Sequence, residues 1–259
     1  MPHSLLWPTL HAFSGREWLI VVAVLLAGGL VKGVVSIGVP LVAVPLLAGI
    51  LTVKQAVLLL SLPIVIGNIP QALEGGHTWA TIKRIAAPMA GMVLGIVVGV
   101  RTLLALSPKT AAGSAGIVLV LAAILLLAAP RFTLPKRLAS PIGVVLGFIS
   151  GVMEGIAAIP GPLLATYLLA TGATGKRFTK EIGLILIVSV VALIAAFAQG
   201  RHASISDLVA SVLAAVPVVI GIVVARPLRD ALPPRAFRIV VLVFVLLAGL
   251  NMIRKSGIL

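Results

Sequence analysis

Cysteine is missing from this 259-residue chain, which excludes disulfides, thiol catalysis and thiolate metal sites. Acidic residues are almost as scarce: there are six, against 20 Lys and Arg, and charged residues make up only 10% of the whole. The four histidines, His3, His11, His77 and His202, are scattered near chain ends and loops, and none pairs at metal-ligand spacing. No G-x-S-x-G occurs, and no intramembrane serine has a histidine close by, so enzyme chemistry is not expected. No nucleotide-binding loop is present either, so ATP drive within this chain is not expected, and no cofactor or metal is called for. Aromatic residues are 4% of the total, too few for a nucleic-acid stacking platform.

What the chain has instead is apolar length. Hydrophobic residues reach 61% and the mean hydropathy is +1.26, whereas soluble domains are nearer half apolar and a quarter charged. The apolar runs are continuous rather than alternating, which argues for helices and against a β-barrel. The sequence therefore predicts an all-α polytopic membrane protein. Its net charge of +14 would suggest nucleic acid in a soluble protein, but here Lys and Arg fall between apolar runs, where they set orientation. The first residues lack a basic start, a short apolar run and a small-residue cleavage site, so no cleavable signal peptide is expected. Trp7, Trp18 and Trp79 lie near segment ends, as interfacial anchors should.

The runs fall into two series. In the first, two short pieces at about 18–31 and 37–50, each near ~15 residues where a full span needs ~20, precede longer segments at 55–73, 85–100 and 110–129. In the second, short pieces at 142–153 and 160–170 precede segments at 182–199, 208–225 and 237–252. The expected division is a first repeat at 1–130, a cytoplasmic connection at 131–140 and a second repeat at 141–259. Individual positions support duplication: Gly29-x-x-x-Gly33 matches Gly147-x-x-x-Gly151, Ser61 and Gln71 match Ser189 and Gln199 at one offset, and Leu106-Ser107-Pro108 matches Leu232-Pro233-Pro234. Gly91, Gly95 and Gly99, four apart, read as a helix-packing stripe.

Each short pair either crosses once or returns to its starting side. If it returns, the three further spans make each half odd and the second half inverted; one side then holds seven Lys and Arg and the other twelve, with Lys32 left between. If it crosses once, the counts are nine and ten. The positive-inside rule favours the first arrangement: inverted repeats with a re-entrant pair in each, both termini outside and the connecting loop in the cytoplasm.

The stretch Gly28–Leu47, GGLVKGVVSIGVPLVAVPLL, and its counterpart Gly147–Leu164, GFISGVMEGIAAIPGPLL, are apolar yet interrupted by glycine and proline. Paired broken segments at matching places in two halves point to a transporter's binding site. The first carries Lys32, a cation that costs on the order of 3 kcal/mol near the midplane and that an anion would offset. The second carries Glu154, the one acidic residue inside an apolar stretch, which reads as a proton carrier or as the partner of Lys32 across the repeat axis. Asn68 and Gln71, three apart on one helical face beside Pro70, would hydrogen-bond an oxyanion, and Gln199 would face them from the other half. Half-helices starting at Gly38 and Gly161 would aim backbone amides at the same anion.

This pattern resembles the TauE/SafE family of sulfite exporters, whose first motif reads G-x-x-x-G-x-x-G-I-G-G-G-x-x-x-x-P. Gly29, Gly33, Ile37, Gly38 and Pro45 fit it, while Ser36, Val39 and Pro40 replace family glycines; in the second motif Gly147, Gly151, Gly155, Ile156 and Pro160-Gly161-Pro162 fit a variant form. The resemblance, which covers nearly the whole chain, implies a secondary transporter exporting sulfite, sulfoacetate or similar organosulfonates across the cell inner membrane. The implied substrate set is Lys32, Ser36, Gly38, Asn68, Gln71, Pro160, Gly161 and Gln199, with Glu154 coupling protons. An anion channel, a carboxylate transporter and a non-transporting membrane scaffold stand as alternatives. The expected partners are a small anion, the bilayer and, as an open assembly, a second copy in a homodimer; no nucleic acid is expected.

Overall fold

A computed structural model describes residues 5–35, 38–76, 78–128, 133–199, 202–231 and 233–257, with the side chains of 7, 35, 226, 228–231, 234 and 235 outside that description. Ser36 and Ile37, His3 and His77, and the Trp7 side chain thus lie outside the described residues. The described chain is helical, without strands. A short α1 (Trp7–His11) leads to α2 (Gly15–Val35), α3 (Val39–Leu47), α4 (Val53–Leu73), α5 (Thr78–Ala105) and α6 (Pro108–Ala128). The second series is α7 (Lys136–Ala157), α8 (Gly161–Ala170), α9 (Gly175–Gln199), α10 (Ile205–Ala231) and α11 (Pro234–Ser256). Eight of these helices are long and apolar enough to cross a membrane.

Both series run long, short, long, long, long. The first member of each pair is longer than the sequence suggested: α2 and α7 have 21 and 22 residues, and only α3 and α8, with 9 and 10, are short. The reason lies in the glycines. Gly29, Gly33, Gly147 and Gly151, expected to loosen the backbone, sit inside continuous helices, and their missing side chains are used for contact. A Cβ on Gly147 would stand 2.1 Å from the Pro88 carbonyl oxygen, and one on Gly95 would stand 2.0 Å from that of Phe148, so α5 and α7 meet backbone to backbone. The pair α2–α10 repeats this, with Gly29 at 2.2 Å from the Val218 oxygen and Gly221 at 2.3 Å from that of Leu26. The connection between the halves is also shorter than expected, because α7 starts at Lys136.

Polar ties identify which helix ends lie together. At one end Asp207 accepts from the amides of Leu5, Leu6 and Ser204, Gln55 reaches the Leu5 carbonyl and Thr9, and Lys54 donates to the carbonyls of Leu104 and Leu106. At the other, Glu181 accepts from Arg84 and Arg177, Lys180 bonds the Gly76 carbonyl, the Leu134 amide bonds Ala170, and Arg238 donates to Leu126. α2 therefore leaves the Asp207 end and α3 returns to it; α7 leaves the Glu181 end and α8 returns. Each pair is a there-and-back hairpin. Exchanging the two series also maps the helix partnerships onto one another: α5–α7 onto α2–α10, α5–α9 onto α4–α10, with α4–α9 and α6–α11 unchanged. Trp18 and Trp79 are exposed in the first turns of α2 and α5, where aromatic anchors belong.

The close backbone contacts give a direct test. Gly95→Val is expected to destabilise the protein by about 1–3 kcal/mol or more, seen as a lower unfolding midpoint in detergent. Gly49→Ala, with nothing within 4 Å of its added methyl, should leave the midpoint unchanged.

Candidate functional site

The two hairpin turns converge. A cavity of about 1050 Å³ is lined by Gly38, Val39 and Pro40 from the α2–α3 turn and by Ala158, Ile159, Pro160 and Gly161 from the α7–α8 turn. Lys32, Asn68 and Gln71 line it from α2 and α4, Thr166 from α8, and Arg238 from α11. The lining continues to Thr133, Ala170, Phe178 and Thr179 at the Glu181 end, and includes no residue from the Asp207 end.

Local sequence explains both turns. Gly38 caps α3 in an extended conformation, and Pro40 sits in its first turn, where the missing amide costs no helical bond. α7 ends at Ala158, whose φ of 57° makes it the one non-glycine left-handed residue described. Such a conformation costs roughly 1–3 kcal/mol and tends to occur at functional sites. No side chain caps the start of α3 or of α8; Pro40 and Pro162 carry no N–H and the Leu41 amide bonds the Gly38 carbonyl, which leaves the Val39, Gly161 and Leu163 amides as the uncapped donors where both helices enter the cavity. The start of α4 differs: Thr52 and Gln55 form a complete capping box there.

Lys32 extends across Gly67, where a Cβ would come within 3.3 Å of its Cε. Its ammonium donates to Asn68 Oδ1 at 2.7 Å, and Asn68 in turn donates to the Ile64 carbonyl at 2.6 Å. Asn68 is buried and Lys32 half-buried. The partner is a neutral amide, so the positive charge stays uncompensated and faces the cavity. Counting along α4, Asn68 lies about 22 Å from the Asp207 end and about 7 Å from the other, at 1.5 Å per residue. The pair thus lies about halfway between the midplane and the Glu181 end, because α2 carries Lys32 further than a short piece would.

Glu154 is fully buried in α7 and is not Lys32's partner. The Ser189 hydroxyl lies 2.8 Å from Glu154 Oε1 and 2.9 Å from the Leu186 carbonyl. Glu154 Oε2 and the Ser150 hydroxyl, one turn earlier, have no partner among the described residues. Gln199 does not face Asn68 and Gln71; it is exposed on the last turn of α9, toward the Asp207 end. Its match to Gln71 in sequence places it at the wrong end because the two helices point in opposite directions. Of the expected substrate residues, the cavity brings together Lys32, Gly38, Asn68, Gln71, Pro160 and Gly161, while Ser36 lies outside the described residues. Sequence reasoning missed Arg238, counted only as an orienting charge, and Gly67, an isolated glycine in an otherwise regular helix.

The family model for the sulfite exporter TauE/SafE matches residues 20–252, nearly the whole chain. The chain belongs to the TauE/SafE family. It is a multi-pass membrane protein of a transporter family, and membership implies membrane transport of sulfur-containing anions. No curated protein and no solved structure matches it. The matched segment contains every cavity residue named above and both hairpin turns of this TauE/SafE chain.

Asn68→Ala leaves the Lys32 ammonium without its amide and removes the side-chain bond to the Ile64 carbonyl, which keeps its helical backbone donor. The expected loss of stability is about 1–3 kcal/mol, measured as a fall in the detergent unfolding midpoint, with partial recovery on adding a sulfonate.

Proposed function

We propose that this protein is a secondary transporter that exports small sulfur-containing oxyanions, organosulfonates such as sulfoacetate above all, by alternating access. The observation that carries the reading is the Lys32 ammonium, held only by a neutral amide, in a cavity entered by two uncapped helix starts. An anion there gains a cation, free amides and the positive ends of two helix dipoles. The volume, about 1050 Å³, far exceeds a four-atom sulfite, and Ile64, Leu125, Leu126 and Leu186 offer apolar walls to a carbon chain. Gln71, Thr166 and Arg238 supply further donors.

The cavity opens at the Glu181 end, which the positive-inside bias assigns to the cytoplasm. In this reading the structure is inward-facing, both termini lie outside, the membrane is the inner one, and the halves, 1–130 and 141–259, are inverted repeats. The return of each hairpin to its starting end supports the inversion, since three further spans then leave each half on the opposite side. Buried apolar residues on α3 and α4, among them Leu41, Val44, Leu47, Val57 and Leu60, fill the Asp207 side. That seal favours alternating access over an open channel.

Glu154 is the proton carrier in this scheme. The Ser189 hydroxyl has one hydrogen and two acceptors in reach. With that hydrogen on the Leu186 carbonyl, the contact with Glu154 needs a protonated carboxyl as donor; with it turned toward Glu154, a carboxylate gains one donor at Oε1, while Oε2 has no partner among the described residues. Rotation of one hydroxyl thus accommodates both protonation states.

Transport into proteoliposomes loaded or diluted to set the gradient tests the proposal. Labelled sulfoacetate and sulfite should cross faster with protein than without, saturably, and Lys32→Ala should abolish the gain while leaving folding intact. Asn68→Asp places a permanent carboxylate on Lys32 and should also stop transport. Equal transport by Lys32→Ala removes Lys32 from the site. Orientation can be read separately, because the chain has no cysteine: a single cysteine at Lys109 should react with an impermeant maleimide from outside the cell, and one at Lys136 only after permeabilisation.

A further inference from the structure

A second pocket, of about 260 Å³, lies at the Glu181 end between α5, α7, α8 and α9, apart from the cavity just described. Three cations line it, Arg84, Lys136 and Arg177, with one carboxylate, Glu181, and the hydroxyls of Tyr167 and Thr171. Glu181 is only 1% exposed, and its Oε1 accepts from Arg84 Nη1 at 2.8 Å and Arg177 Nε at 2.9 Å. Each guanidinium has five N–H donors, so most of those on two nearly half-exposed arginines remain available. Lys136, exposed at the first turn of α7, has no hydrogen-bond or ion-pair partner among the described residues. One carboxylate against three cations leaves a surplus of two positive charges, more than a structural ion pair requires.

The depth and surroundings of this surplus indicate its ligand. Trp79 is 69% exposed in the first turn of α5, with the Lys83 ammonium 5.5 Å above its ring. That is the behaviour of a residue at headgroup level. Arg84 stands five residues further along α5, about 7.5 Å deeper at 1.5 Å per residue, where lipid phosphates give way to acyl chains. On α7, the helix that brings Lys136 and Ala139 to the pocket, Leu138 and Val145 are exposed apolar side chains along which a chain can lie.

We propose that this pocket binds the headgroup phosphate of an anionic phospholipid, with Arg84, Lys136 and Arg177 on the phosphate oxygens and the acyl chains against α7. A free oxyanion has the same charge chemistry, but it makes no use of the apolar strip that adjoins the cations. Basic pockets between membrane helices are suited to such headgroups. The lipid would tie α7, through Lys136, to α5 and α9, which the Arg84–Glu181 ion pair already joins.

The test is thermal unfolding of the purified full-length protein in a neutral detergent, titrated with phosphatidylglycerol, phosphatidylcholine or inorganic phosphate. Phosphatidylglycerol should raise the midpoint saturably, and the other two should not at equal concentration. Lys136→Gln, which breaks no bond seen in the structure, should raise the phosphatidylglycerol concentration for half-effect about five-fold. Lys136→Arg should restore it, and Lys109→Gln, at the far end, should match the wild type. The proposal is overturned if phosphatidylcholine acts equally, if inorganic phosphate reproduces the effect, or if Lys136→Gln behaves like Lys109→Gln. None of these readouts depends on transport.

Discussion

An ammonium group in an apolar bundle, balanced by an amide and by no acid, is the constraint that organises this molecule. A lysine costs on the order of 3 kcal/mol at the centre of the hydrocarbon and less toward the ends of a span. A carboxylate would cancel that cost permanently and leave a passive core. Asn68 only supports the charge, with Oδ1 at 2.7 Å, while its own amide is tied back to Ile64. Everything nearby conforms to this arrangement. Gly67 makes room for the lysine stem, α2 is long enough to bring it to the cavity, and the two hairpin turns deliver uncapped helix starts to the same space.

Holding those turns together is the task of the glycines. Packing at 2.0–2.3 Å from hypothetical Cβ to carbonyl oxygen fixes α5 on α7 and α2 on α10, without the hydrophobic drive that pairs helices in water. Each contact joins one series to the other. The hairpins are thus anchored crosswise: α2 and α3 to the second half, α7 and α8 to the first. Movement of one half against the other would therefore act on both turns.

Much of this could be read from the residues alone, and the failures have physical causes. Composition alone indicates a helical membrane protein, and five apolar pieces in each half, a broken pair and then three long segments, follow from apolar runs and breaks. The charge count favours the returning hairpin over the single crossing. Lys32, Gly38, Asn68, Gln71 and Gly161 were legible because buried charge, amides and broken helices are costly in lipid and therefore informative. Helix lengths were misjudged at Gly29, Gly33, Gly147 and Gly151, since a glycine that breaks a helix and one that lets another backbone approach look alike in one sequence. Gln199 was misplaced because a matching offset does not reveal helix direction. Ser189 passed for packing, as its importance depends on Glu154, 35 residues away.

The most direct measurement of the central claim is a structure of the protein soaked with selenite, the heavier analogue of sulfite, with the anion located by anomalous scattering. The account predicts one strong peak within hydrogen-bonding distance of Lys32 Nζ, between the starts of α3 and α8. A peak only at the surface, or a cavity without signal at saturating selenite, would contradict it.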